Sequence, residues 1–340
     1  MSILVAIIVF SVVILVHELG HFLVARRVGI EVEEFSIGFG PKLVGFGAAE
    51  TQFSVRLIPM GGYVRMLGEE GDEEGSAYDN LASYQNKSPL QRMAVIAAGP
   101  VMNFALALVI FILIFGVIGG ITLNEPRIGD VMPSMPAEAA GLQAGDEVVS
   151  IDSQEMALWT DIQKYIRANP SKTLNFTVRR GGELLNIAVT PQMGETYSEV
   201  GIAPPKGRLS ILASIKEGFV QTFHLTKEII KSLVGIVTRK VPADDITGPI
   251  GIVYFVGQAA QAGLVNVLYL AALISVNLGL FNLLPIPALD GSKLMFLGIE
   301  LIRRRPLDPR KESIVHLVGF ALLISLMVLV MYRDIVRYIL

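Results

Sequence analysis

The sequence predicts an α-helical multi-pass membrane protein of about four transmembrane helices, with a membrane-re-entrant β-hairpin and one extracytoplasmic α+β domain. Composition is the first ground: of 340 residues, 52% are hydrophobic and only 17% charged, rich for a soluble protein. The second is length, because a helix needs ~20 consecutive apolar residues to cross hydrocarbon and several stretches supply them. The third is texture, since the middle of the chain turns polar and alternating. The formal net charge of -3, with no basic cluster interleaved with aromatics, gives no affinity for nucleic acid. There is no cysteine, so disulfides and thiolate metal sites are excluded, and any metal must be held by His, Asp or Glu.

Residues 3–25, 93–123 and 314–332 are the clear spans, and residues 264–289 form a fourth that Pro285 and Pro287 break. The opening MSILVAIIVF lacks the positive n-region and small-residue cleavage site of a secretory signal, so it reads as a retained span. Lys and Arg set the orientation. Arg26, Arg27, Lys42, Arg56, Arg65, Lys87 and Arg92 lie between the first two spans, and Lys293, Arg303, Arg304, Arg305, Arg310 and Lys311 between the last two. Both loops are expected in the cytoplasm, which leaves both termini and residues 124–263 outside. Arg333 and Arg337 weigh against this orientation but are outnumbered.

Within the outer region, IGDVMP, GDEVVSID and TLNFTVRRGGELLNIAVTP alternate as strands do, the last folding back at Gly181 and Gly182, while residues 159–168 read as a short helix. Residues 209–239 set Leu212, Ile215, Phe219 and Phe223 at helical spacing, with Lys216, Glu217, Lys227, Glu228 and Lys231 opposite. That helix is expected to lie along the membrane surface. Crossing would bury its charges, add a fifth span and move the C-terminus inside. The expected organisation is therefore 1–123 as the first half of a membrane core, 124–206 as the α+β domain, 207–263 as an interfacial helical region and 264–340 as the second half.

Residues 31–68 alternate with glycine punctuation, as hairpins do, yet are too apolar for an ordinary loop. Non-helical backbone survives at membrane depth only against other protein, and a re-entrant hairpin is the reading that fits. The acidic run 69–79 that follows reads as a solvated loop.

The chemistry lies in VHELGH. Residues four apart on a helix are about 40° apart in rotation, so His17 and His21 share a face and can both reach one zinc ion. Glu18 can take a proton from the attacking water, whose pKa zinc lowers from ~15.7 toward ~7. Such a short pattern arises by chance in many soluble helices. Inside a span each ionisable residue costs ~2.5–3.5 kcal/mol, and a shared metal is what would offset that. At ~1.5 Å per residue, His17 lies ~20 Å along the span from Ile3, toward Arg26 and Arg27. A catalytic zinc usually takes three protein ligands. Asp290 is the best third, because Pro285 and Pro287 end the helix before it near that depth, although an Asp at a span's end can be a plain interface residue. His224, on the amphipathic segment, and His316, expected to be satisfied by a backbone carbonyl, are the other candidates. Asn277 and Asn282 read as amides bonded between helices or as a hold on substrate backbone.

VHELGH, IGFGP, LIPMGGYVRMLGE, AAGPVMNF, TGPIGI and SVNLGLFNLLPIPALDG, in that order over nearly the whole chain, resemble the site-2 protease family of intramembrane zinc metalloproteases, in its bacterial regulator-of-sigma-E protease branch. The resemblance implies one Zn2+ held by His17, His21 and Asp290, with Glu18 as catalytic base. It implies substrate contacts from Asn282 and from the hairpin at Gly61, Gly62 and Tyr63, with Asn103, Pro285 and Pro287 packing near the site. The outer domain, with PAEAAGLQAGDEVVSID, resembles a PDZ domain, single here where several relatives carry two. PDZ domains add a peptide strand to a sheet edge, and both a peptide ligand and steric exclusion of bulky ectodomains stay open. The implied setting is the bacterial cytoplasmic (inner) membrane. The implied substrates are single-span membrane proteins: anti-sigma factors after a first extracytoplasmic cut, or remnant signal peptides. A membrane-anchored PDZ adaptor with a structural or vestigial metal site is the alternative, but it has no need of Glu18. A zinc transporter would carry His and Asp on several spans.

Overall fold

The computed structural model describes residues 2–47, 51–69, 80–119, 121–193, 198–240, 247–305 and 308–338. The chain divides into two compact units, Met1–Ile112 with Ile215–Leu340, and Leu113–Ser214. The first unit opens with helix α1 (Ser2–Arg27), which ends on Arg26 and Arg27, cations placed to complement the helix C-terminus. Strands β1 (Val32–Phe46) and β2 (Gln52–Met66) follow, then helix α2 (Pro89–Ile112). α1 and α2 meet through small residues: a Cβ on Gly20 would lie 2.4 Å from Ala98 O, the close backbone approach typical of membrane helix pairs.

β1 and β2 form more than a flat hairpin. Residues 34–37 face 65–62 on one side and 52–55 on the other, while 42–46 face 56–53, so both strands bend and the pair curls into four short segments. Glu34, buried inside the curl, accepts hydrogen bonds from Ser54 Oγ (2.5 Å), Arg56 Nη2 (2.7 Å) and Tyr63 OH (2.8 Å), which satisfies a charge that burial alone would penalise. Phe22 of α1 packs edge-on against Phe35 and Phe53. At the other end Phe39, Leu43, Val44, Leu57 and Ile58 are exposed. Ser11 Oγ donates to Pro59 O at 2.6 Å, so β2 runs beside the middle of α1. A re-entrant placement gives those exposed apolar side chains hydrocarbon rather than water.

The second unit carries β3 (Ile121–Thr122), β4 (Asp130–Val131), α3 (Pro136–Ala140), β5 (Glu147–Ile151), β6 (Gln154–Glu155), α4 (Trp159–Ala168), β7 (Leu174–Arg180), β8 (Glu183–Val189), β9 (Gln192–Met193), β10 (Ser198–Glu199), β11 (Ile202–Ala203) and β12 (Lys206–Gly207). Its main sheet has the order β6-β5-β7-β8. The core is built on Ile128, Val148, Ile151, Leu174, Phe176 and Val178 from the strands and loops, with Trp159, Ile162 and Ile166 of α4 set over them. Those three α4 positions share one helix face, which is why the short helix was legible. β7 and β8 join at Gly181 (φ 60) and Gly182 (φ 94), the left-handed pair that a tight hairpin turn requires. This unit is α+β, as expected, but it starts earlier and ends later than residues 124–206. β3 pairs with β12 and Leu209 N–H donates to Phe115 O at 2.8 Å, which draws both flanks in. The second apolar helix accordingly runs only to Ile118, short of residue 123.

The first unit resumes within α5 (Ile211–Val237) and continues with α6 (Pro249–Ala262), α7 (Leu264–Leu283), α8 (Asp290–Arg303) and α9 (Pro309–Tyr338). Among the described residues four helices are long and apolar enough to cross a membrane: α1, α2 with its extension, α7 and α9. α5 is not one of them, and its Leu212, Phe219 and Phe223 are exposed. Gly218 of α5 lies against Leu108 and Ile112 at the end of α2. Asp334 of α9 accepts from the backbone N–H groups of Gly248 (3.1 Å) and Gly251 (2.8 Å), so it caps α6 from a different helix. Gly257 of α6 faces Ser2 of α1. The start of α1 and the end of α9 therefore gather around α6. Toward the opposite helix ends, Arg92 pairs with Glu300 (2.6 Å) and Lys293 with Glu69 (2.7 Å). Glu69 is thus held by an ion pair rather than solvated, while residues 70–79 of the acidic run lie outside the described residues.

Candidate active site

α1 turns His17 and His21 toward α2, and both are buried, at 6% and 7% exposure. α2 admits the two rings because residue 99 is glycine: a Cβ there would lie 2.4 Å from His21 Nε2 and 2.8 Å from His17 Cε1. The third group arrives from the far end of the chain. α7 stops at Leu283 before Pro285 and Pro287, the chain turns through Ala288 at φ 72, and Asp290 becomes the first residue of α8. His17 Nε2 and His21 Nε2 then lie 3.1 Å and 3.4 Å from Asp290 Oδ2, and 3.2 Å from each other.

That triangle has the size of a zinc coordination edge. Donors ~2.0–2.1 Å from a tetrahedral zinc stand ~3.3 Å apart. Asp290 Oδ2 is buried and within ion-pair distance of both imidazole Nε2 atoms, a convergence of three donor atoms that a shared cation would hold. His21 Nδ1 sits 2.9 Å from Val95 O. A carbonyl can only accept, so the ring proton is on Nδ1 and the Nε2 lone pair is free to ligate. Three such donors would leave a tetrahedral ion a fourth position for water or a substrate oxygen.

Glu18 follows His17, ~100° further round the helix. It is half-buried, and its Cγ is 3.7 Å from where a Cβ on Gly62 would stand, so β2 passes directly beside it. Of the three hairpin residues singled out from the sequence, Gly62 is the one placed at Glu18. Gly61 lies under the Phe39 ring, and Tyr63 points into the hairpin, bonded to Glu34 and stacked on Phe39. Asn282 is buried in the last turn of α7, whereas Asn277 faces outward. Asn103 reaches the site, with its amide 3.1 Å from His17 Nδ1. Pro287 packs on Gly319 of α9.

The other two histidines stay apart from the cluster. His224 is exposed on α5. For His316 the expected bond is reversed: no carbonyl satisfies Nδ1, which instead accepts from Ala288 N–H at 3.1 Å and so grips the turn that delivers Asp290. Gly99 and Val95 O were not singled out as part of the site, and His316 was weighed only as a metal ligand, not as a hold on the turn before Asp290. Only the small residue at a span position, Gly99, leaves a signal in sequence; the other two act through backbone groups.

Two imidazoles, one carboxylate and an adjacent glutamate, assembled between apolar helices, define a metal-dependent hydrolase of the membrane. Comparison with known proteins agrees. Residues 5–326 match the profile of peptidase family M50. The zinc metalloprotease RasP of Geobacillus kaustophilus (strain HTA426) is 36% identical over 99% of this chain and 98% of its own length. The regulator of sigma-W protease RasP of Bacillus subtilis (strain 168) is 35% identical over 97% of each chain. Both alignments, over 415 and 413 positions, exceed the 340 residues present here, so these relatives carry a stretch with no counterpart in this chain. Among solved structures, a PDZ domain of an SdrC-like protein from Listeria monocytogenes matches 24% of this chain and 88% of its own at 20% identity, with a TM-score of 0.22. The chain belongs to peptidase family M50, the site-2 protease family, and is a zinc metalloprotease of the membrane.

Proposed function

We propose that this chain is an intramembrane endopeptidase that cuts single-span membrane proteins within or near their spans, with His17, His21 and Asp290 holding one zinc ion and Glu18 as general base. The observation that carries the reading is the buried triangle of donor atoms, 3.1–3.4 Å apart, next to Glu18 on an apolar helix. Zinc bound there would polarise the scissile carbonyl and make water acidic enough to attack near neutral pH. Glu18 accepts the proton of the attacking water and passes it to the leaving amine.

A helical substrate hides its carbonyls in its own hydrogen bonds, so it must be drawn out before attack. β2, passing Glu18 at Gly62, offers backbone N–H and C=O groups to an extended segment, and the Asn282 amide offers a further contact. The α+β unit is read as a single PDZ domain outside the bacterial cytoplasmic membrane, with both chain termini on the same side. It either takes a peptide strand or keeps bulky ectodomains away. Anti-sigma factors already trimmed outside are the favoured substrate class, a choice supported by the Bacillus subtilis relative being a regulator of sigma-W protease, with remnant signal peptides as the other class. The test is co-expression of candidate single-span proteins with wild type and with Glu18→Gln. A fragment should appear only with wild type, while the variant keeps its zinc; equal processing by both would overturn the proposal.

A further inference from the structure

We infer that Asn103 is a positioning residue for the metal: its carboxamide oxygen accepts the Nδ1 proton of His17 and so fixes the tautomer whose Nε2 lone pair faces the zinc. The inference rests on the zinc reading above. Asn103 is fully buried, at 0% exposure, and two contacts from α7 hold it. Ser275 Oγ donates to its backbone carbonyl at 2.8 Å, and Gly279 comes close enough that a Cβ there would lie 3.2 Å from Asn103 Cβ. The amide therefore stays within reach of His17 and can only choose which end to present.

The two ends have opposite consequences. With Nδ2 at 3.1 Å from His17 Nδ1, the amide donates. The ring proton then sits on Nε2, the atom that faces Asp290 and His21, and the lone pair needed for a metal is lost. In that orientation Oδ1 is also buried with no donor. A carboxamide is nearly symmetric in shape, and its ends are distinguished by hydrogen bonding alone. Turned over, it gives Oδ1 a donor in His17 Nδ1–H and returns the Nε2 lone pair to the site. His21 already shows this pattern, its Nδ1 proton fixed by Val95 O at 2.9 Å, a backbone acceptor that cannot be reversed. Both ligating rings are thus oriented by carbonyl oxygens of α2, one from the main chain and one from a side chain, as metal-bound histidines generally are.

The experiment measures zinc affinity of the purified full chain in detergent by chelator competition, for wild type, Asn103→Leu, Asn103→Asp and His17→Ala. Leu keeps the volume without the acceptor, and Asp keeps the acceptor without the donor. Zinc binding should weaken ~10–100-fold in Asn103→Leu, stay equal or tighten in Asn103→Asp, and collapse in His17→Ala. The visible spectrum of the cobalt-substituted protein should match wild type for Asp and differ for Leu. A residue that merely packs predicts the reverse order, because a buried carboxylate disturbs packing more than leucine does. Wild-type affinity in Asn103→Leu, or a tenfold loss in Asn103→Asp, overturns the inference while leaving the zinc reading intact. The Asp result decides alone if the Leu variant does not fold. Unchanged affinity in His17→Ala overturns both.

Discussion

Gly99→Ala isolates the metal geometry from the chemistry of the ligands. The new methyl would stand 2.4 Å from His21 Nε2 and 2.6 Å from its Cε1, against carbon contacts of ~3.5–4.0 Å, so the ring or the helix must yield by roughly 1 Å. Neither can yield without loss. The ring is held at Val95 O, and Val95 lies on the same helix as residue 99, so backing α2 away pulls that acceptor off as well. Metal–ligand distances tolerate only ~0.2 Å, and a displacement near 1 Å is worth about 100-fold in rate. Overpacking should cost ~1–3 kcal/mol, partly offset by the ~1 kcal/mol that alanine gains over glycine in a helix, so the fold should survive. The expected outcome is a folded, inserted protein with zinc affinity down at least tenfold and cleavage down at least 100-fold. Metal content of the purified variant and cleavage of a co-expressed single-span substrate are the two readouts. Full zinc occupancy together with wild-type cleavage would refute the reasoning. Gly20→Ala is the contrast, since its methyl meets the Ala98 carbonyl and should loosen the helix pair itself.

Three further outcomes are expected. Asp334→Ala leaves the N–H groups of Gly248 and Gly251 without their acceptor and should destabilise the chain by ~1–3 kcal/mol with zinc content unchanged; an identical thermal unfolding curve in detergent would count against the capping role. His316→Ala removes the acceptor for Ala288 N–H, so zinc affinity should fall, though by less than in His17→Ala, and chelator competition giving the wild-type value would rule this role out. In the α+β unit, burial pushes the Asp146 carboxyl up, but the Arg180 guanidinium (2.7 Å) and the Gln143 N–H outweigh it and hold it below its ordinary 3.8. The unfolded chain therefore binds a proton that the folded unit does not, so this contribution is complete above pH 3.8 and is lost as pH falls through the folded value. Arg180→Leu should flatten that acid-side decline in melting temperature, and an unchanged slope would exclude the pair as its source.

What could be read in the sequence followed from local periodicity. His17, Glu18 and His21 are fixed relative to one another by a single helix, and α4 and the Gly181–Gly182 turn are equally local. Asp290 was legible as a candidate because Pro285 and Pro287 must end a helix just before it. The rest depends on partners far apart in the chain. Gly99, Val95, Ser275 and His316 matter through backbone approach or main-chain hydrogen bonds between helices, which have no periodic trace. The bent pairing of β1 with β2 was hidden for the same reason, since alternation fixes a strand's faces but not how many neighbours it acquires. The true flanks of the α+β unit were hidden because residues 113–123 are apolar enough to read as span, while β3 pairs with β12.

The donor triangle also has a consequence for biosynthesis. Two of its members leave the ribosome within the first helix, while the third follows only after both hairpin strands, the α+β unit and the break after α7. A nascent or truncated chain that stops before Asp290 carries the helix-borne pair without its carboxylate and cannot close the site. On the proposed zinc assignment, proteolytic competence would be tied to synthesis through Asp290, and a chain stopped before it would be an inert membrane protein rather than an unregulated protease.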